Sequence, residues 1–332
     1  MAKKILISGY IGFGNFGDEA ILKCLISYLK SKNAEISVLS NAPNETAREY
    51  SIKAYKFNSP LQIIMAILSC NVLFSGGGSL LQNNTSNKSL IYYLLIIWFA
   101  KLIGKKVVIF AQGLEGIKGK KMLNFASKIL KKCDLITVRD KNSKAIANKM
   151  GLESNLVCDP FYDTKLPPYE PKGQVGIQVR SCKYMHPLFP ENLANRIVEF
   201  FGDRPIKIFV FQEKEDRNIS TELMTLLQKK SKNINVEIIP NSGIESIVNH
   251  FKELEYLISM RYHACLLGTM YGIKTMPVVY DDKILTFAKE VNLPYIKCDF
   301  DEMKKDSFKD LENANYKSSQ KFVWDIYDKF VQ

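Results

Sequence analysis

The 332-residue chain has no long apolar run, no paired-cysteine motif and only three histidines. Each shortage excludes something. The most apolar stretch, residues 90–100, falls short of the ~20 residues that a membrane-crossing helix needs. Seven cysteines are scattered, Cys24, Cys70, Cys133, Cys158, Cys182, Cys265 and Cys298, and none falls into a C-x-x-C pair. An odd, unpaired set argues against a disulfide framework or a structural zinc site, and for a reducing compartment. No H-E-x-x-H string or dense carboxylate cluster marks a catalytic metal, so neither a metal nor a cofactor is expected. Walker A and G-x-S-x-G strings are missing as well. The first nine residues carry no signal-peptide core and read as a strand, so the expected location is cytoplasmic, up to the inner face of the cell membrane.

Acidic residues are also in deficit. Forty-six Lys and Arg against 34 Asp and Glu leave a net charge of +12, with a pI near 9.2. That excess favours anionic partners such as phosphorylated substrates or an anionic membrane face. No Arg/aromatic signature of RNA binding accompanies it, so nucleic acid is not an expected partner and most lysines read as solvated surface. The 90–100 run reads first as a buried helix. Trp98, Tyr92 and Tyr93, with Lys88 and Lys101 at its ends, support a second reading of weak peripheral membrane contact.

What the chain does have is alternation, over a length sufficient for two domains. Short β-branched runs at 4–8, 36–40, 72–75, 107–111 and 135–138 predict strands, with helical patterns at 19–29, 61–68, 90–103 and 120–130 between them. A proline-rich stretch at 166–173 follows and reads as a linker. The alternation then restarts, with strands at 175–179, 206–211, 236–239, 256–259 and 275–280 and helices at 191–201, 216–228, 244–251, 264–271 and 284–291. The fold class is therefore α/β, with mostly parallel sheets. The expected domains are two Rossmann-like halves facing a cleft, over 1–165 and 172–312. Residues 313–332 are expected to form a last helix that packs back on the first domain, with Phe322, Trp324, Ile326, Tyr327 and Phe330 on its apolar side.

Arg261 and His263 are the most informative residues. They stand between an apolar strand and a helical run closed by Gly272, the place where open α/β sheets bind ligands. A helix N-terminus offers N–H groups and a positive dipole to an anion. Arginine adds a planar fork for carboxylate or phosphate, and histidine a proton exchangeable near neutral pH. His186 and His250 have no such setting and read as surface residues. Other strings end other strands. Gly12-Phe13-Gly14-Asn15-Phe16-Gly17 has the form G-x-G-x-x-G, but Asp18 and Glu19 would repel a pyrophosphate and the acidic residue expected ~20 positions on is missing, so a dinucleotide is not expected. Asn15 and Asp18 suit sugar hydroxyls better. Gly76-Gly77-Gly78 is able to curl backbone N–H groups round an anion. Gln112 and Arg139 end two further strands, and Arg180 and Gln212 two in the second half. For Arg139, an ion pair with Asp140 is an equal alternative.

Taken in order, the strings Gly9 to Ala20, Ser75 to Gln82, Ala111-Gln112-Gly113, Val138-Arg139-Asp140, Asp159-Pro160 and Ser259 to Ala264 resemble the polysaccharide pyruvyl transferase family, in particular the CsaB type. The resemblance covers nearly the whole chain. It implies a GT-B-like fold and transfer of pyruvate from phosphoenolpyruvate onto a glycan acceptor, as a ketal with release of phosphate. It implies that Arg261 and His263 lie at the donor site. On this reading Arg139, Arg261, Gln112 and the Gly76, Gly77 and Gly78 loop divide the donor's charges, and His263 is the acid. Asp18 orients a hydroxyl, and Asn15, Arg180 and Gln212 join it at the acceptor. The acceptor belongs to a cell-envelope polysaccharide or its lipid-linked precursor. The alternative is a GT-B glycosyltransferase using a nucleotide sugar, and the non-enzyme alternative a sugar-binding protein on the same scaffold.

Overall fold

The computed structural model describes residues 2–84, 86–299, 308–314 and 316–332. Two compact units divide the chain. One comprises the residues up to Thr164 together with Gln320–Gln332, the other Lys165–Ser319.

The first unit is built on strands β1 (Lys4–Ser8), β2 (Glu35–Ser40), β3 (Lys53–Lys56), β4 (Val72–Gly76), β5 (Lys106–Gln112), β6 (Leu135–Val138) and β7 (Asn155–Leu156). All pairings are parallel, in the order β3-β2-β1-β4-β5-β6-β7. A sheet covered on both faces needs continuous apolar strands, and β5 shows it: every residue after Lys106 is buried. Helices α1 (Phe16–Ser31), α2 (Pro43–Tyr50), α3 (Pro60–Ser69), α4 (Asn87–Leu102), α5 (Lys120–Leu130) and α6 (Lys141–Lys149) make the crossovers. Residues of α3, α4 and α5 share one core with Leu73, Val107 and Ile109. Those of α1 share another with Ile5, Phe74 and Phe110, on the opposite face of the sheet.

The second unit repeats the plan. Strands β8 (Gln174–Gln178), β9 (Ile206–Phe209), β10 (Val236–Ile239), β11 (Leu254–Ser259), β12 (Lys274–Val279) and β13 (Ile296–Lys297) are ordered β10-β9-β8-β11-β12-β13, again all parallel. Helices α7 (Phe189–Phe201), α8 (Glu213–Lys230), α9 (Ile244–Phe251), α10 (Tyr262–Tyr271) and α11 (Asp282–Glu290) connect them. In each sheet, strand order reverses beside the unit's first strand: between β1 and β4, and between β8 and β11. Loops leaving the carboxyl ends of such a pair frame a crevice.

The C-terminal segment departs from expectation. Within 313–332 there is no long helix among the described residues, only a 3-10 turn at Asp325–Tyr327 and a single-turn helix α12 (Asp328–Val331). Phe322 and Trp324 are two residues apart, so a helix would point them to different sides, whereas extended chain puts both on one. Both do reach one target. The Phe110 ring lies 5.7 Å from Phe322, 5.9 Å from Trp324 and 5.1 Å from Tyr327. The Tyr327 hydroxyl lies 2.8 Å from Thr137 Oγ1, and Trp324 Nε1 donates to Asp163 at 2.8 Å. Among the described residues, no helix is long and apolar enough to cross a membrane.

Candidate active site

The carboxyl edge of the second sheet gathers four strand ends. Arg180 follows β8, Gln212 precedes α8, Arg261 caps the start of α10 and Tyr280 follows β12. Asp216 holds the group together from inside. Its Oδ2 accepts from the backbone N–H groups of Phe211 (2.9 Å) and Gln212 (3.0 Å) and from Gln178 Nε2 (3.1 Å). Its Oδ1 meets Arg261 Nη2 at 2.6 Å. A carboxylate with no exposed surface is tolerable only with such a full set of donors. The same Nη2 donates to Gln212 Oε1 at 3.2 Å and to Glu215 Oε2 at 3.0 Å. Glu215 is more open, and its Oε2 also lies 2.5 Å from Arg180 Nη2. Arg180 in turn donates from Nη1 to the Tyr280 hydroxyl at 3.0 Å, its guanidinium 5.0 Å from the ring centroid. Burial works against the charge of Arg261, but Asp216 and Glu215 outweigh it and hold its pKa above the ordinary range.

His263 is the second residue of α10, largely buried, on the turn where the helix's first N–H groups face outward. Its ring stands edge-on to Tyr262 at 5.1 Å. Arg180, Gln212, Arg261 and His263 thus belong to one unit, and the first three to one hydrogen-bonded cluster.

The first unit's edge is built differently. Gly76, Gly77 and Gly78 all have positive φ, at +149°, +79° and +83°. A Cβ on Gly76 would stand 2.2 Å from Phe110 O, and one on Gly78 2.3 Å from Asp18 Oδ1. Gly78 therefore packs against the Asp18 carboxylate, and Gly76 against the Phe110 backbone. The Gly77 N–H is engaged with Phe110 O at 3.0 Å. A negative group bound at Gly78 would stand beside Asp18 and meet its repulsion. Gln112 is wholly buried, and its Nε2 donates to Gly78 O (2.9 Å) and Gly113 O (3.1 Å). It braces the glycine loop from behind. A register irregularity before Gln112 and an Ala111 φ of +41°, strained for a residue with a Cβ, turn it inward.

Arg139 is enclosed within the first unit. Its side chain has no exposed surface; Nη1 pairs with Asp159 Oδ2 at 3.0 Å and Nη2 donates to Ser79 Oγ at 3.2 Å. Asp140 is the weaker partner at 3.9 Å and instead caps α6 through Ser143 N at 2.7 Å. A group so enclosed positions loops. Asn15 caps α1, its Oδ1 accepting from Gly17 N at 3.1 Å. Glu19 accepts from Gly12 N at 2.8 Å, and burial pushes its pKa up to about 7 against that hydrogen bond, with help from Asp18 and Glu49.

Two contributors, Glu215 and Tyr280, escaped the sequence, and a third, Asp159, stood in a family string with no partner assigned to it. Glu215 resembles any acidic residue in a helix's first turn, where it complements the dipole. Asp159 lies 20 residues from Arg139 in sequence, with nothing local to join them. Tyr280 had a usable signal, since it ends a strand at the same edge as Arg261. Among the described residues, no group of three or more His, Cys, Asp or Glu is gathered to hold a metal ion.

A family model described as polysaccharide pyruvyl transferase matches residues 15–282, which includes the Gly76–Gly78 loop of the first unit and the whole Arg180–Arg261 cluster of the second. The chain belongs to the polysaccharide pyruvyl transferase family. No curated protein matches the sequence. Solved structures similar to this pyruvyl transferase include the UDP-GlcNAc 2-epimerase of Methanocaldococcus jannaschii, at 12% identity and a TM-score of 0.65, covering 97% of this chain and 95% of that one. MurG of Acinetobacter baumannii is similar at 14% identity and a TM-score of 0.55, covering 94% and 91%. The MnaA–UDP structure from S. aureus gives 10% and 0.62, covering 95% and 90%. At such identities the likeness shows the fold, two parallel-sheet α/β domains of GT-B type.

Proposed function

We propose that this pyruvyl transferase takes pyruvate from phosphoenolpyruvate and sets it as a ketal on a sugar of a cell-envelope polysaccharide or its lipid-linked precursor, releasing phosphate. One observation carries the reading: two arginines from the switch-point strands of the second sheet, Arg180 and Arg261, converge on the single carboxylate of Glu215. Glu215 is half-exposed, whereas Asp216 is fixed. A carboxylate held by two guanidinium groups is the arrangement an anionic donor would adopt, and Glu215 would stand in for it until the donor displaces it.

The chemistry follows from the groups present. Arg180 and Arg261 neutralise the donor's phosphate and carboxylate, and the N-terminus of α10 adds its dipole. His263, protonated, gives its proton to the donor's methylene carbon, which becomes a methyl group and leaves C2 electrophilic. One sugar hydroxyl adds to C2, and the second replaces the departing phosphate. Of the two hydroxyl protons released, one restores the imidazolium and the other leaves with phosphate. Asp18, beside Gly78, is the group assigned to orient an acceptor hydroxyl.

Calorimetry tests the donor. Phosphoenolpyruvate should bind wild-type protein, and UDP- or GDP-sugars should not compete. Glu215→Gln should tighten binding several-fold by removing the competing charge while keeping the side chain's shape. Competition by a nucleotide sugar at similar affinity would move the chain to the glycosyltransferase reading. Weaker donor binding in Glu215→Gln would end the stand-in role.

A further inference from the structure

Helices α3, α4 and α5 lie side by side on one face of the first sheet, with α4 in contact with both neighbours. Each buries an inner face, but the outer faces are not those of solvated helices. On α3, Leu61, Ile64, Met65 and Leu68 are all exposed, from 41% to 69%. Their spacing of i, i+3, i+4 and i+7 is that of an amphipathic stripe, and the stripe points away from the core. On α4, Leu95, Trp98 and Leu102 continue it at i, i+3 and i+7, and Phe125 adds a ring on α5. These are eight of the 15 exposed large hydrophobic residues among the described residues, gathered on three adjacent helices. Scattered singly they would need no explanation; together they mark an interaction face.

The charges on these helices decide the partner. Across all three, the charged residues are Lys88, Lys101, Lys120, Lys121 and Lys128, and none is acidic. Exposed Lys131 and Lys132 follow directly after α5. A second copy of the chain is a poor occupant, because a two-fold interface would set this patch of lysines against itself. We propose that the α3–α4–α5 face seats the protein on an anionic lipid surface. The apolar stripe, with Trp98 at its centre, enters the headgroup boundary, and the exposed Lys88, Lys120, Lys121 and Lys128 meet lipid phosphates, while Lys101 stays paired with Asp134 at 2.7 Å. The placement refines the sequence reading. Tyr93 is buried and the Tyr92 hydroxyl donates to Phe57 O at 2.7 Å, so neither faces lipid. The α3 stripe, which plays no part in the sequence argument for membrane contact, supplies half of the apolar face. The inference extends the proposed pyruvyl transfer toward an acceptor carried on lipid, and in that respect rests on it.

Sedimentation of the full chain with phosphatidylcholine vesicles, with and without phosphatidylglycerol, is the test. Binding should require the anionic lipid and fall as salt rises. Leu68→Glu with Trp98→Glu, both exposed positions, should cut it at least tenfold without lowering the melting temperature. Lys120→Gln, Lys121→Gln and Lys128→Gln should each cost about fivefold. Equal binding to neutral vesicles at low salt, or binding indifferent to the double variant, would overturn the proposal. So would a concentration-dependent dimer that the double variant dissolves. The vesicle assay contains no substrate. Failure of phosphoenolpyruvate turnover therefore leaves its outcome standing, and loss of vesicle binding leaves phosphate release onto a water-soluble glycan at the wild-type rate.

Discussion

The two sheets share a strand order, and their switch points carry opposite chemistry. Between β1 and β4 the edge consists of glycine backbone wrapped on carboxylates, Asp18 beside Gly78 and Glu19 under Gly12. Between β8 and β11 it consists of arginines braced by carboxylates. The scaffold fixes where loops converge; the side chains decide what they attract. A carboxylate edge suits neutral hydroxyl donors, and a guanidinium edge suits an anion.

The largest expected effect lies on the second edge. His263→Ala should lower kcat by roughly 10²–10⁴-fold with donor binding little changed. Arg261→Ala should chiefly raise the donor KM, and Lys should rescue it poorly because a point charge cannot reproduce the fork. Steady-state phosphate release measures both. Near-normal kcat in His263→Ala would require another acid.

Arg139 puts the contrast to a direct test, since it is the first unit's buried arginine. Arg139→Ala leaves Asp159 buried without its partner, and should destabilise by about 3–5 kcal/mol in denaturant unfolding. Phosphoenolpyruvate affinity of the folded fraction, by calorimetry, should not change. A weakened donor with intact stability would return Arg139 to the donor site.

A smaller effect concerns Glu19. Its pKa in the fold is about 7, above the ordinary 4.5. The fold therefore favours the protonated form; that stability is whole below pH 4.5 and is lost as pH rises through 7. Glutamine keeps the acceptor for Gly12 N–H and never ionises. Glu19→Gln should thus be the more stable protein at pH 8, by up to roughly 3 kcal/mol, and equal to wild type near pH 4.5. Melting curves at the two pH values decide it, and equal stability at pH 8 would mean that Glu19 is better solvated than its surroundings indicate.

Much of this was legible in the sequence. Ten strands and nine helices follow from β-branched runs and apolar periodicity, and every motif named at a strand end does sit there. What was not legible shares a cause. Strands β3, β7 and β13 are edge strands of two to four residues, too short to show a period. Helices α2 and α6 are short and polar, so no apolar stripe announced them. At the site, residue types at strand ends were readable but their partners were not. Whether an arginine meets Asp159 or Glu215 depends on tertiary neighbours 20 or 46 residues away. That is why Arg139 and Arg261 look alike in sequence and differ in structure.

The return of Gln320–Gln332 to the first unit has a consequence for biosynthesis. A ribosome delivers the strands of the first sheet long before the aromatic residues that cover Phe110 and Phe74. The second unit is meanwhile translated in full, as an insertion, and is able to fold on its own schedule. Until Gln320–Gln332 leave the exit tunnel, the part of that face which α1 does not cover stays open to chaperones or to aggregation. A nascent chain stalled before Gln320 would thus pair a finished second unit with an unfinished first.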